Sequence, residues 1–180
     1  MFQDVLQQLI PSKEDILHIQ SCADKIVSKL KVKDAKVVVG GSFAKDTWLK
    51  GKKEVDLFVA FDYKKYAEKS GAISHLLKRA LEMNFKFETL HGSRDYYRVL
   101  IGDVTFEIVP ILEIKKAEQA KNITDVSPLH TKWVKKHKRQ NEIRLAKAFA
   151  YAHHVYGAET HVKGFSGYAL ELLIINYGSF

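Results

Sequence analysis

The chain has 180 residues, 46% of them hydrophobic and 28% charged, which is enough apolar material for a packed core and excludes a disordered chain. A formal net charge of +8, from 29 Lys and Arg against 21 Asp and Glu, points to a polyanionic partner such as nucleic acid or a nucleoside triphosphate. A single cysteine, Cys22, excludes an internal disulfide and a cysteine-based zinc site. No basic segment followed by a long apolar stretch opens the chain. The longest apolar run, Leu172-Leu173-Ile174-Ile175, is far short of a bilayer span, so a cytoplasmic chain with no membrane association is expected.

Ser12-Lys13-Glu14-Asp15 has the form of a helix-capping box, and Ile16, Ile19, Ala23, Ile26 and Leu30 behind it supply one apolar face, which predicts a first helix. Ala35 to Val39 reads as a short strand running into Gly41-Ser42, with a brief helix from Ser42 onward. Glu54 to Phe61 reads as a second strand, and Tyr63 to Met83 as a helix interrupted near Ser70-Gly71. Phe85 to Leu90, Tyr96 to Ile101 and Val104 to Val109 alternate like strands, with Gly102-Asp103 as a tight turn, so they predict an antiparallel meander beside the first two strands. The composition changes after Pro110. From Ser127 every segment reads as helical: Ser127-Pro128 as N-cap and first-turn proline, Asn141 to Tyr156 as a helix ended by Gly157, and Phe165 to Tyr177 as another. The expected organisation is therefore α+β, a mixed region over 1–123 and a helical region over 124–180.

The chemistry lies in the mixed region. Glu54 and Asp56 stand two apart on a strand and so share a face, while Val55, Leu57, Val59 and Phe61 point into a core. Glu107, on another strand with Phe106 and Ile108 on the opposite side, offers a third carboxylate. Hard oxygen ligands suit Mg2+, and the pair Gly41-Ser42 would let backbone N–H groups and a hydroxyl approach a triphosphate. Nucleotidyl transfer needs such a set: divalent ions, an oxygen nucleophile and a departing pyrophosphate. The adjacent His153 and His154 point about 100° apart on a helix and lack a third ligand at suitable spacing, which argues against a zinc hydrolase.

Gly41-Ser42-Phe43-Ala44-Lys45 through Gly51, followed by Glu54-Val55-Asp56-Leu57-Phe58-Val59, resembles the signature of archaeal-type, class I CCA-adding tRNA nucleotidyltransferases. The resemblance continues through Phe106-Glu107-Ile108-Val109-Pro110, Ser127 to Thr131, Asn141 to Phe149, Tyr156 to Glu159 and Lys163 to Leu172, so it runs nearly unbroken from about Gly40 to Phe180. It implies a polymerase beta-like nucleotidyltransferase fold, a mixed sheet with flanking helices followed by a helical neck. It implies transfer of CMP and AMP from CTP and ATP to the tRNA 3′ end. It further implies that Glu54, Asp56 and Glu107 hold magnesium, that Gly41, Ser42 and Lys45 meet the triphosphate, and that His130, Lys147 and Tyr156 line the nucleotide pocket.

Two positions depart from the family pattern: Glu107 stands where aspartate is common, and Lys45 where arginine is also common, which keeps the charge and loses bidentate geometry. Members of the family also continue beyond the Tyr177-Phe180 match into body and tail domains, so a fragment, one half of a split enzyme and a reduced enzyme are all open readings. The apolar last helix would be satisfied by a second copy, a complementary second chain or this chain's own sheet. Other readings of the same core are an oligoadenylate synthetase- or poly(A) polymerase-like enzyme, or a non-catalytic subunit that binds tRNA or a partner.

Overall fold

The computed structural model describes residues 2–180, in which helices flank both faces of one five-stranded sheet. The strands are β1 (Ala35–Val39), β2 (Glu54–Phe61), β3 (Glu88–Leu90), β4 (Tyr96–Ile101) and β5 (Val104–Leu112), in the order β1-β2-β5-β4-β3. All neighbours are antiparallel except β2 and β5, which run parallel and pair Asp56 with Glu107. The parallel pair is what brings two carboxylates from distant parts of the chain to one level of the sheet.

Alternation along the strands separates two environments. One face carries Val55, Leu57, Val59, Phe61, Phe106, Ile108 and Leu112 into the main core. Against it pack Ile19, Cys22, Ala23 and Ile26 of α2 (Lys13–Lys29) and Ile73, Leu77 and Leu81 of α5 (Ala72–Glu82). The helix α2 starts at the expected capping box, with Ser12 Oγ accepting from Asp15 N and Asp15 Oδ2 accepting from Ser12 N. The other face has a small apolar patch, Phe58, Ala60, Val109 and Ile111, and carries the acids at one end. On this acidic face lie α3 (Gly41–Lys45) and, beyond it, α6 (Ser127–His137), α7 (Gln140–Ala152) and α8 (Gly167–Tyr177). These last three share their own core of Val134, Ile143, Ala146 and Ile174.

The predicted elements are present; β5 runs past the expected Val109 to Leu112, α8 starts at Gly167 after an N-cap at Ser166 rather than at Phe165, and four larger differences stand out. The segment predicted as a strand over Phe85 to Leu90 pairs only over Glu88–Leu90, because the amides of Asn84 and Phe85 are spent closing the end of α5 on Leu81 O. Ser127 is not an N-cap: a 3-10 turn over Ile123–Val126, capped by Asn122, runs straight into α6, so Ser127 is already helical and Pro128 sits in the first turn. The helix predicted over Asn141 to Tyr156 stops at Ala152, and His154 takes a left-handed conformation. Tyr156 is released from the helix and bridges to Phe165, closing a loop over 157–164. Finally, α1 (Phe2–Leu9) is absent from the sequence reading, although Phe2, Val5, Leu6 and Leu9 carry helical spacing. It packs on α7 and is tied to the chain by Lys50 N donating to Leu9 O at 2.9 Å.

Short α4 (Tyr63–Tyr66) and a 3-10 turn over Ala67–Lys69 precede α5, so the expected interruption near Ser70-Gly71 is present. Buried Asp125 ties the mixed region to α6. Its carboxylate accepts from Arg94 Nη1 at 2.6 Å, Leu112 N at 2.9 Å, and Lys121 N and Asn122 N at 3.0 Å, which fixes the path of the chain after β5. No helix among the described residues is long and apolar enough to cross a membrane.

Candidate active site

The chain leaves β1 and turns across the sheet on two glycines whose missing side chains are required. A Cβ on Gly40 would overlap the Phe58 ring. On Gly41, at φ +57°, it would overlap Asp56 Oδ2. Gly40 N also donates to Asp56 O at 2.8 Å. The turn therefore lies flat on β2, and Ser42 follows as the second residue of α3, in the same cavity as the carboxylate.

A cavity of about 240 Å³ sits here, lined among others by Ser42, Glu54, Asp56, Glu107, Lys147 and Tyr156. Six of the predicted site residues thus share one cavity, and Gly41 forms its edge against Asp56. Lys45 and His130 lie outside its lining. Lys45 Nζ instead donates to Glu171 Oε2 at 2.7 Å, and the His130 ring stacks on Tyr168 with centroids 4.0 Å apart. Burial and the charge of Lys45 hold the His130 pKa below its ordinary value.

Two cations on α7 reach the turn after α3. Arg144 Nε donates to Trp48 O at 3.1 Å and its Nη2 pairs with Asp46. Lys147 Nζ donates to Thr47 Oγ1 at 3.0 Å, to Thr47 O at 3.3 Å and to Glu171 Oε1 at 3.4 Å. Three residues apart on one helix face, they dock α7 against the segment 46–48 that follows α3. Burial pushes the Lys147 pKa down, opposed by Glu171.

The acids repel one another, with Glu54 exposed at the rim and Asp56 and Glu107 half-buried behind it. Burial, then Glu107, raises the Asp56 pKa to about 6, with Lys45 and Lys147 opposing and Glu54 adding to the rise. Three carboxylates gathered on one face of a β-sheet are destabilising unless protons or cations neutralise them. All are hard oxygen donors, so their chemistry fits a divalent ion such as magnesium. Their present arrangement is not yet a coordination sphere: among the described residues no three His, Cys, Asp or Glu side chains converge closely enough to hold an ion. Glu107 Oε1 accepts from Arg98 Nη2 at 2.9 Å, which orients the carboxylate and leaves it further lone pairs for an ion.

Several cavity residues escape the sequence reading. Tyr151 stacks on Tyr156 at 4.1 Å, and Lys52 Nζ lies 4.1 Å from the Tyr151 ring centroid, forming an aromatic wall. Helical spacing marks Tyr151 only as one more residue of α7. Glu171 did carry a signal, being the one acid within the apolar run of α8.

A mixed sheet with acids on neighbouring parallel strands, beside a Gly-Ser turn, defines a polymerase beta-like nucleotidyltransferase fold. Residues 1–142 match the model of the Second Messenger Oligonucleotide or Dinucleotide Synthetase domain, and 141–180 match that of the tRNA nucleotidyltransferase second domain. The chain is 41% identical over 184 residues to the CCA-adding enzyme of Sulfurisphaera tokodaii and 38% identical over 186 residues to that of Nanoarchaeum equitans. Each alignment covers 99% of this chain and, respectively, 43% and 46% of the relative. A crystal structure of the Cid1 poly(U) polymerase with Mg and 3′-dATP bound superposes with a TM-score of 0.71 at 18% identity, covering 98% of this chain and 53% of that one. The match over 1–142 places the chain in the Second Messenger Oligonucleotide or Dinucleotide Synthetase family of nucleotidyltransferase domains, and over nearly its whole length the chain is similar to part of archaeal CCA-adding enzymes. It spans less than half the length of these two curated relatives.

Proposed function

We propose that this chain carries the catalytic centre of a tRNA nucleotidyltransferase, which transfers CMP and AMP from CTP and ATP to the 3′ end of tRNA in the cytoplasm and releases pyrophosphate. The observation that carries the proposal is the in-register pairing of Asp56 with Glu107 on parallel strands, with Glu54 on the same face and Ser42 and Lys147 in the same cavity. Residues 1–123 act as the catalytic head and 124–180 as a helical neck that closes the cavity from the other side.

In this reading the tRNA 3′ oxygen attacks the α-phosphorus, a new P–O bond forms, and the bond to pyrophosphate breaks. Glu54, Asp56 and Glu107 would hold magnesium, which when bound supplies positive charge and Lewis acidity to the reacting phosphate. The Gly41-Ser42 turn brings backbone N–H groups and a hydroxyl against the triphosphate, and Lys147 offsets its charge. Tyr156 and Tyr151 offer a flat wall for base or sugar, with Lys45 and His130 supporting the cavity from behind. A second copy or a complementary chain on the exposed apolar side of α8 would add tRNA contacts that these residues do not supply.

A second reading has its own support in the match of residues 1–142 to an oligonucleotide synthetase model: the same transfer chemistry, with nucleotides themselves as acceptors. One experiment separates the two. The chain is incubated with magnesium and each labelled nucleoside triphosphate in turn, with and without tRNA lacking its terminal CCA. Label from CTP and ATP appearing in tRNA supports the first reading. Oligonucleotide or cyclic products formed without tRNA support the second.

A further inference from the structure

We infer that Glu171 is a positioning residue that joins Lys45 and Lys147 into one phosphate-gripping pair, an inference that rests on the triphosphate reading of the cavity. Glu171 lies in the middle of α8 and is 1% exposed. Leaving such a carboxylate without partners would be strongly unfavourable, and a fold that needed only packing there could use leucine, as at buried Leu170.

Its two oxygens are divided between the lysines. Oε2 accepts from Lys45 Nζ at 2.7 Å, while Oε1 accepts from Thr47 Oγ1 at 3.3 Å and from Lys147 Nζ at 3.4 Å. The bond to Lys45 is short and the one to Lys147 is long. A phosphate oxygen entering the cavity can therefore take over the N–H that Lys147 directs at Glu171, while Lys45 keeps the carboxylate from following. Lys147 and Glu171 line the cavity and Lys45 does not; Lys45 holds the Glu171 carboxylate in place from behind, and its charge acts across the gap on the cavity as it does on Asp56.

Two ammonium groups around one carboxylate give this cluster an excess of one positive charge, opposite the carboxylates of Glu54, Asp56 and Glu107 in the same cavity. Groups from every neighbouring element face this pair: Asp56 from β2, His130 from α6, Arg144 from α7, and Tyr156 and Tyr168 from the closing loop and α8. Lys45 and Arg144 both disfavour a proton on buried Lys147, and Glu171 favours it. Removing Glu171 thus withdraws both the aim and part of the charge of the lysine that meets the ligand.

The test measures binding of inorganic tripolyphosphate, with magnesium present, to the wild-type chain, Glu171→Gln, Glu171→Asp, Lys147→Met and the double variant Lys147→Met/Glu171→Gln, alongside thermal unfolding. Glu171→Gln should unfold cooperatively yet bind roughly tenfold more weakly, with Glu171→Asp recovering part of the loss. The double variant should bind no more weakly than Lys147→Met, because both changes disable one unit. Folded Glu171→Gln that binds as tightly as wild type, or losses that simply add, would overturn the inference. If Glu171→Gln does not fold, 15N spectra of the lysine Nζ groups in the wild type decide. Tripolyphosphate should shift both Lys45 and Lys147, and a shift confined to Lys147 refutes the coupling. A wild-type chain that binds no tripolyphosphate would instead overturn the triphosphate reading, and the inference with it.

Discussion

Replacing Asp56 by asparagine should make the metal-free protein more stable, because the site stores repulsion that catalysis would use. The Asp56 carboxyl titrates at about 6 in the folded chain against an ordinary value of 3.8, chiefly through burial and the nearby charge of Glu107. The folded state therefore holds the proton more tightly than the unfolded one. Stability conferred by this group is present below about pH 4 and is lost as pH rises towards 6, on the order of 3 kcal/mol when the loss is complete. The asparagine side chain cannot ionise and escapes that loss. Urea unfolding in a chelator should show Asp56→Asn more stable than wild type by about 2–3 kcal/mol at pH 7.5, or roughly 4–12 °C in Tm, with little difference at pH 4. Magnesium should close the gap by stabilising only the wild type. An Asp56→Asn protein no more stable than wild type at pH 7.5, or an advantage unchanged at pH 4, would refute the reasoning.

Two further outcomes follow from the packing. Gly41→Ala places a methyl group on the Asp56 carboxylate at a left-handed backbone position, so it should displace the turn and lower both thermal stability and any nucleotide transfer; unaltered melting and activity would show that the turn does not lie where described. Asp125→Ala removes the counter-charge of the buried Arg94 guanidinium, which keeps only its bond to the Pro110 carbonyl among the contacts described, and the acceptor of three backbone N–H groups, and chemical unfolding should register a loss of about 3–5 kcal/mol.

The strands that carry the acids were legible because each begins with polar and apolar residues in alternation and continues as a short apolar run: Glu54–Phe61 appears with the predicted bounds, while β5 runs on past Val109 to Leu112. The Gly-Ser turn was legible because few other residues could cross the sheet so closely. What escaped was decided by contacts between distant segments. Only the parallel pairing of β2 with β5 sets Asp56 beside Glu107, and strand pairing order has no local signal. The hold of Arg98 on Glu107, and that of Glu171 on two lysines, likewise arise from residues 9, 24 and 126 positions apart. The end of α7 was misplaced because Gly157 looks like a terminator, while the left-handed residue is His154, a type that adopts this conformation more readily than most.

The central claim, that carboxylates on β2 and β5 form a nucleotidyl-transfer centre, is tested most directly by label transfer. Wild-type chain and Asp56→Asn are each incubated with magnesium, α-labelled CTP and tRNA lacking its terminal CCA, and labelled tRNA is measured over time. The account predicts steady incorporation by the wild type and a fall of about 10³-fold or more in the variant, whose fold is intact by the unfolding measurement. Incorporation by Asp56→Asn at a rate near that of the wild type, or none by the wild type, would contradict it.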